Sequence, residues 1–274
     1  MTKDFSAPAR VDGDAASAVV VRDGPAGLEV LMLRRLDRGS FAGAWVFPGG
    51  YVDPEDTPEQ FRHDDAASWG ADVPVADVPA GLRAAARLAA VRETAEETGL
   101  ALEPARLIPT TCWVPPAQAP KRMRAWYFLA PIAEGADAPV RLSPGEHAEA
   151  EWMTPAEALA RHGDGRMLLV PPTWVTLHGL ATLAGANGGA PTVSDAVAAA
   201  AAQGERCVGV EFESFRSQQH AEDARKYVLW HGDEHWQDEF AATDRTSRPP
   251  VEAPAGGVHR LDITDLPWSY EREF

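Results

Sequence analysis

Arg92-Glu93-Thr94-Ala95-Glu96-Glu97-Thr98-Gly99 closes an alanine-rich run that begins near Leu82. Alanine is the strongest helix former, and a glycine just past the last periodic residue is a common stop, so a helix is expected over 82–98 with Gly99 at C′ and Leu100 packing back on it. Carboxylates at i, i+3 and i+4 place Glu93, Glu96 and Glu97 on one helical face, where each like-charged pair costs about 0.2–0.5 kcal/mol. A cation would offset that repulsion, and clustered carboxylate oxygens are the hard ligands that Mg²⁺ or Mn²⁺ prefer. Arg92 can also pair with Glu96 one turn on. Taken alone, such a triplet is ordinarily a solvated acidic face. The sequence upstream changes that balance.

Ser17–Arg22 (SAVVVR) and Leu28–Arg35 (LEVLMLRR) are β-rich runs around the turn-like Asp23-Gly24-Pro25, as in a hairpin or neighbouring strands. Trp45-Val46-Phe47 is a third short strand, stopped by Pro48-Gly49-Gly50, where the two glycines permit backbone angles that other residues resist. Thr57-Pro58-Glu59-Gln60 has the form of a capping box with proline at the first helical position and predicts a short helix ending near Trp69-Gly70. Residues 71–81 then form a connecting loop. Beyond the glutamate helix, strands are expected at 107–114, 123–132 and 148–153, and Thr154-Pro155-Ala156-Glu157 caps a further helix. After Gly165 come helices at 172–183 and 194–203, strands at 226–230 and 258–263, and a Pro- and Gly-rich surface loop at 243–257.

The PGG bend followed by a helix carrying RExxEExG resembles the signature of the Nudix hydrolases: a glycine, five residues, a glutamate, seven residues, then REUxEExGU with U a bulky aliphatic. Gly50 fits the opening glycine, and Arg92, Glu93, Glu96, Glu97, Gly99 and Leu100 fit the second half. Three departures stand out. Asp56 occupies the place of the early glutamate, Thr94 replaces an aliphatic residue, and 35 residues separate Asp56 from Arg92, an insertion of 28. An excursion at that point can loop out without disturbing bend or helix. An interrupted box of this kind is similar to the branch of peroxisomal-type coenzyme A diphosphatases and their bacterial relatives. The likeness extends through Phe41–Gly50 (FAGAWVFPGG), Trp113-Val114-Pro115-Pro116 and Pro171-Pro172-Thr173-Trp174.

The resemblance implies an α/β Nudix fold, a mixed β-sheet sandwiched between α-helices, with a mainly helical C-terminal extension packed on it. The expected organisation is a flexible leader at 1–16, a Nudix hydrolase domain at 17–163 with its insertion at about 57–84, and the extension at 164–274. The implied activity is metal-dependent hydrolysis of the pyrophosphate bond in a nucleoside diphosphate linked to another moiety. The branch points to coenzyme A or its acyl esters, cleaved to 3′,5′-ADP and (acyl-)4′-phosphopantetheine; NADH, ADP-ribose or another nucleotide is the alternative. By the same resemblance Glu93 and Glu97 are principal ligands of Mg²⁺ or Mn²⁺, Glu96 assists, Gly50 offers its carbonyl, Arg92 orients a glutamate, and Asp56 contributes weakly through water. The general base comes from the box glutamates or from the stretch 146–151, with Glu146 and Glu149 as candidates. Where the branch carries an acidic residue within 121–124, this chain has Arg124.

The chain has 274 residues, enough for one large domain or two small ones. With 25 Lys and Arg against 41 Asp and Glu, its formal charge is −16, which repels polyanions and excludes long nucleic acid as a natural partner. Cations for a phosphate substrate must therefore come from small clusters: Lys121, Arg122 and Arg124 are the first candidates, Arg34 and Arg35 the second. Trp113, Trp126 and Tyr127 lie in strand-like runs and read as core before nucleobase platforms. Cys112 and Cys207 form no CxxC pairing, so neither a zinc cluster nor a disulfide scaffold is expected and a reducing cytoplasm fits. No apolar run approaches the length of a membrane span and the N-terminus has no apolar core segment, so the expected partner is a small nucleotide, with no membrane and with homodimerisation compatible.

His231 and His235 stand at i and i+4, but Gly232 and Asp233 between them suggest a turn, and HExxH is absent. His63-Asp64-Asp65 reads as a solvated helix end. No GxSxG, Walker or Rossmann fingerprint is present. A rival from another class is a catalytically silent nucleotide-binding Nudix module; the intact glutamate triplet argues against it.

Overall fold

Val19 and Val21 alternate with Ala18 and Val20 along the first long strand, and all four are buried. A strand apolar on both faces belongs in the middle of a sheet covered on both sides. The computed structural model, which describes residues 11–39, 41–61, 79–113, 115, 121–132, 139–143, 145–185, 188–207, 216–219, 226–229, 233 and 257–273, places it there. Strand β1 (Gly13–Gly24) pairs with antiparallel β2 (Gly27–Arg35) through the tight turn at 25–26 and with the short β4 (Gly49–Tyr51) along one edge. Its other edge takes β6 (Met123–Pro131) in parallel, from Gly13 beside Met123 to Val21 beside Pro131. Strand β3 (Trp45–Val46) and β7 (His147–Met153) pair with β2, and β5 (Ile108–Trp113) with β6, all antiparallel. The result is the expected mixed sheet, here of seven strands.

Helix α1 (Ala80–Thr98) covers one face. Its buried positions Leu82, Ala86, Ala89 and Ala90 recur every three or four residues and meet Ala18, Val20, Leu33, Trp126 and Phe128. Alanines on that stripe let the helix axis approach the sheet closely. Gly99 ends it in the left-handed conformation at φ 72°, its N–H donating to the Ala95 carbonyl. Thr94, at the place of an aliphatic residue, is fully buried because its hydroxyl donates to the Ala90 carbonyl one turn back.

The opposite face, with Val19, Val21, Met32, Tyr127 and Leu129, is covered by α3 (Pro171–Ala181) and α4 (Val193–Cys207), which bring Trp174, Leu177, Ala196 and Ala200. Between sheet and extension lies α2 (Pro155–Gly163), capped as expected by the Thr154 hydroxyl accepting from Glu157 N–H. Besides these helices, the described residues of the extension include strands. After α4 it builds a second, antiparallel sheet of β8 (Arg216–Gln219), β9 (Lys226–Leu229), β10 (His259–Asp262) and β11 (Ser269–Arg272), whose Val228 and Leu261 join the same core. The strands at 216–219 and 269–272 are polar and short, and only pairing with neighbours makes them strands.

Two boundaries also differ. Strand β1 starts at Gly13, inside the stretch expected to be a flexible leader, because pairing with β6 and β4 continues that far. Of the helix expected from Thr57 the described residues show a single 3-10 turn at Glu59–Phe61, preceded by another at Pro54–Asp56; the remainder of that expectation, with Trp69-Gly70 and His63-Asp64-Asp65, lies outside the described residues. The pair His231 and His235 also lies outside them, and the loop at 243–257 does so except for Gly257. Asp233 between those histidines is buried and accepts from His259 N–H and from Arg260 Nε. Among the described residues no helix is long and apolar enough to cross a membrane.

Candidate active site

Glu97 lies on the buried stripe of α1, three residues after Thr94, and so is carried under the protein surface with the helix that packs on the sheet. Only 3% of it is exposed. One carboxylate oxygen accepts from Gly49 N–H at 2.9 Å, which ties the helix end to the PGG bend. Burial pushes its pKa up to about 8, against the lowering effect of that N–H. Glu93, half-buried, has its pKa raised by burial while the Arg92 guanidinium pulls it back. The Glu96 side chain is 60% exposed. The three carboxylates thus fan from interior to solvent rather than sharing one environment.

Gly50 sits directly beneath Glu93: a Cβ added to it would lie 2.4 Å from the Glu93 carboxylate carbon. A side chain at this position would displace the Glu93 carboxylate. The residues on either side of the insertion are therefore brought together, Gly49 and Gly50 against Glu97 and Glu93.

Arg92 holds this arrangement in place. Its Nε and one terminal nitrogen donate to the two oxygens of buried Asp56, each at 3.0 Å, and the same nitrogen donates to the Tyr51 carbonyl. The other terminal nitrogen lies 2.9 Å from a Glu93 oxygen and 3.4 Å from Glu96. The hydrogen bond to Asp56, with Glu93 beside it, raises the Arg92 pKa further above its ordinary value. Asp56 also accepts from Asp53 N–H at 2.9 Å. In this structure Asp56 grips the arginine that orients Glu93.

Of the candidate bases, Glu146 is exposed and converges on Glu97: ligand atoms of Glu97, Glu146 and His147 all lie within 4.8 Å of one another. Glu149 points elsewhere, 3.5 Å from Arg34. His147 is a residue that sequence reasoning did not select. Its side chain is 2% exposed, neither ring nitrogen has a hydrogen-bond partner, and Nδ1 is 3.7 Å from a Glu97 oxygen. Burial, and then Arg35, lower its pKa. Leaving buried polar atoms unpaired costs about 1–3 kcal/mol, a cost that proteins retain mainly at working sites. The EH pair in 146–151 was visible in the sequence, but nothing local showed that His147 faces inward.

The cationic candidates separate. Lys121 is exposed at the rim, its ammonium 2.8 Å from the Tyr51 hydroxyl, one residue from Gly50. Arg35 pairs across the sheet with His147 and acts electrostatically on Glu97. Arg34 is engaged with Asp37 at 2.7 Å. Arg124 is not placed to meet a substrate: it is 0% exposed and holds Asp14 through Nε at 2.6 Å and a terminal nitrogen at 3.1 Å, with Trp126 Nε1 donating to the same carboxylate. Arg122 is buried as well, its Nε donating to the Pro115 carbonyl. Alternation along β6 sends Arg124 inward, where Asp14 on the parallel neighbour compensates its charge. Trp113, Trp126 and Tyr127 are core residues, as expected.

The donor set suits a hard divalent cation: two carboxylates beside the Gly50 backbone, a third within reach, and a phosphate-compatible cation, Lys121, at the edge. Residues 66–170 match the family model described as NUDIX domain. Among solved structures, a NUDIX hydrolase from Alicyclobacillus acidocaldarius is 26% identical over 61% of this chain and 90% of its own, with a TM-score of 0.48. A MutT NUDIX hydrolase from Burkholderia pseudomallei is 24% identical over 61% and 95%, TM-score 0.37. The NUDIX domain of Shewanella oneidensis NrtR, complexed with ADP ribose, is 15% identical over 65% and 89%, TM-score 0.41. No curated protein matches the chain. The stretch that is similar to the NUDIX domain model contains all of α1 and reaches past Glu146 and His147.

Proposed function

We propose that the protein hydrolyses the pyrophosphate bond of coenzyme A or an acyl-coenzyme A, releasing 3′,5′-ADP and (acyl-)4′-phosphopantetheine. The observation that carries this reading is the closure of an interrupted box. Gly50 and Asp56 before the insertion meet Glu93 and Arg92 after it, and the FAGAWVFPGG and PPTW segments resemble the coenzyme A diphosphatase branch.

Glu93, Glu97 and the Gly50 carbonyl would hold Mg²⁺ or Mn²⁺, with Glu96 as an outer support. Such an ion neutralises phosphate oxygens and lowers the pKa of bound water. The chain's own residues supply the rest. Arg92, clamped by Asp56, fixes the Glu93 carboxylate. Gly49 N–H fixes one oxygen of Glu97. Glu146, exposed and next to Glu97, is positioned to accept the proton of the attacking water, and Lys121 at the rim is available to a phosphate oxygen.

The test is chromatographic product analysis after incubation with Mg²⁺ or Mn²⁺ and, separately, coenzyme A, acetyl-coenzyme A, NADH and ADP-ribose, with Glu97→Gln as control. Release of 3′,5′-ADP from the coenzyme A samples, absent in the control, is the expected result. Cleavage of NADH or ADP-ribose alone would replace the substrate while keeping the chemistry, and nucleotide binding without turnover would leave a silent module.

A further inference from the structure

Regular alternation along β7 sends Ala150 and Trp152 toward the α1 side of the sheet and Met153 toward the other. His147, an odd-numbered residue, would follow Met153 away from α1. The register against β2 breaks between Arg34 and Arg35, so that Arg34 faces Glu149 and Arg35 faces His147. This bulge shifts the phase of the strand by one residue and turns His147 toward Glu97. Bulges beside functional sites commonly re-aim a side chain in this way.

What the bulge delivers is a buried imidazole with no hydrogen-bond partner at either nitrogen. At 3.7 Å from the Glu97 oxygen, Nδ1 is too far for a hydrogen bond. The other Glu97 oxygen is occupied by Gly49 N–H, so the oxygen facing His147 is the one left for a ligand. Glu146 completes a triangle of one nitrogen and two oxygen donors, all within 4.8 Å.

Resting on the reading of this face as a metal site, we propose that His147 is a direct nitrogen ligand of the cation held by Glu97, and that the site thereby prefers a first-row transition ion to Mg²⁺. Mg²⁺ takes oxygen donors and water and dehydrates reluctantly, whereas first-row ions accept imidazole readily. A box of carboxylates alone would not discriminate on this ground.

Mn²⁺ is the probe, because its unpaired electrons report bound nitrogen directly. Pulsed electron paramagnetic resonance of the Mn²⁺-loaded full chain is expected to show hyperfine coupling to a directly coordinated nitrogen, lost in His147→Gln at saturating Mn²⁺. Titration should show Mn²⁺ affinity falling about tenfold or more in that variant and Mg²⁺ affinity changing by no more than about twofold. A wild-type spectrum without nitrogen coupling would overturn the proposal, and needs no variant that must fold. Equal loss of both ions would overturn it too, making His147 a packing residue. Failure of the wild type to bind either ion would instead remove the metal site on which the proposal rests, an outcome distinct from the other two.

Discussion

Asp56 holds Arg92 by two parallel hydrogen bonds of 3.0 Å across 36 positions of sequence, bridging the interruption of the box. An aspartate at the place of a glutamate thereby becomes a means of positioning: its short side chain ends at the guanidinium, and the guanidinium reaches Glu93 in turn.

Asp56→Ala is expected to lower stability by about 2 kcal/mol, the scale of a lost charge-assisted hydrogen bond, and to reduce hydrolysis by releasing Glu93. Arg92→Lys, which keeps the charge but cannot form the two-pronged contact, should lose activity as well. Denaturant titration and steady-state kinetics on both variants test this; an Arg92→Lys enzyme with wild-type rates would show that the geometry of the clamp is immaterial.

Gly50→Ala introduces a Cβ where the Glu93 carboxylate sits. Displacing a catalytic group by about 1 Å costs on the order of 100-fold in rate, so kcat should fall by that amount while circular dichroism stays native. A fully active Gly50→Ala protein would mean that Glu93 functions from another position.

Glu97 makes the metal-free protein sensitive to pH with a definite sign. Its folded pKa, about 8, lies above the ordinary 4.5, so within that window the folded state binds more protons than the unfolded state. Its contribution to stability is complete below 4.5, declines as pH rises, and is lost above about 8. Thermal melting of chelator-treated protein should show this decline, and Glu97→Gln should flatten it while abolishing hydrolysis. Cation affinity should rise with pH over the same window, because the ligand must be deprotonated.

Arg124→Ala separates a structural from a substrate role. With its partner gone, Asp14 is left as an uncompensated buried charge, and a loss of about 3–5 kcal/mol is expected in urea titration. A well-folded variant with only a raised KM would restore Arg124 to the substrate.

Helix α1, its glycine stop, the hairpin of β1 and β2 and the Thr154 cap were legible from local chemistry alone. Each depends on residues three or four apart or on one turn, and the structure realises them within a few positions. The spacing of Glu93, Glu96 and Glu97 likewise followed from helical periodicity, whereas the link between bend and box across an insertion was only implied by the family resemblance. Tertiary structure decided the rest. Glu97 is buried and Glu96 exposed because one lies on the stripe that meets the sheet, a distinction of packing that spacing does not carry. Arg124 became a core residue because a parallel neighbour 110 positions away supplies Asp14. His147 entered the site because a bulge reversed the alternation of its strand. Charge, burial and side-chain direction at these positions depend on partners distant in sequence, and only the folded chain brings those partners together.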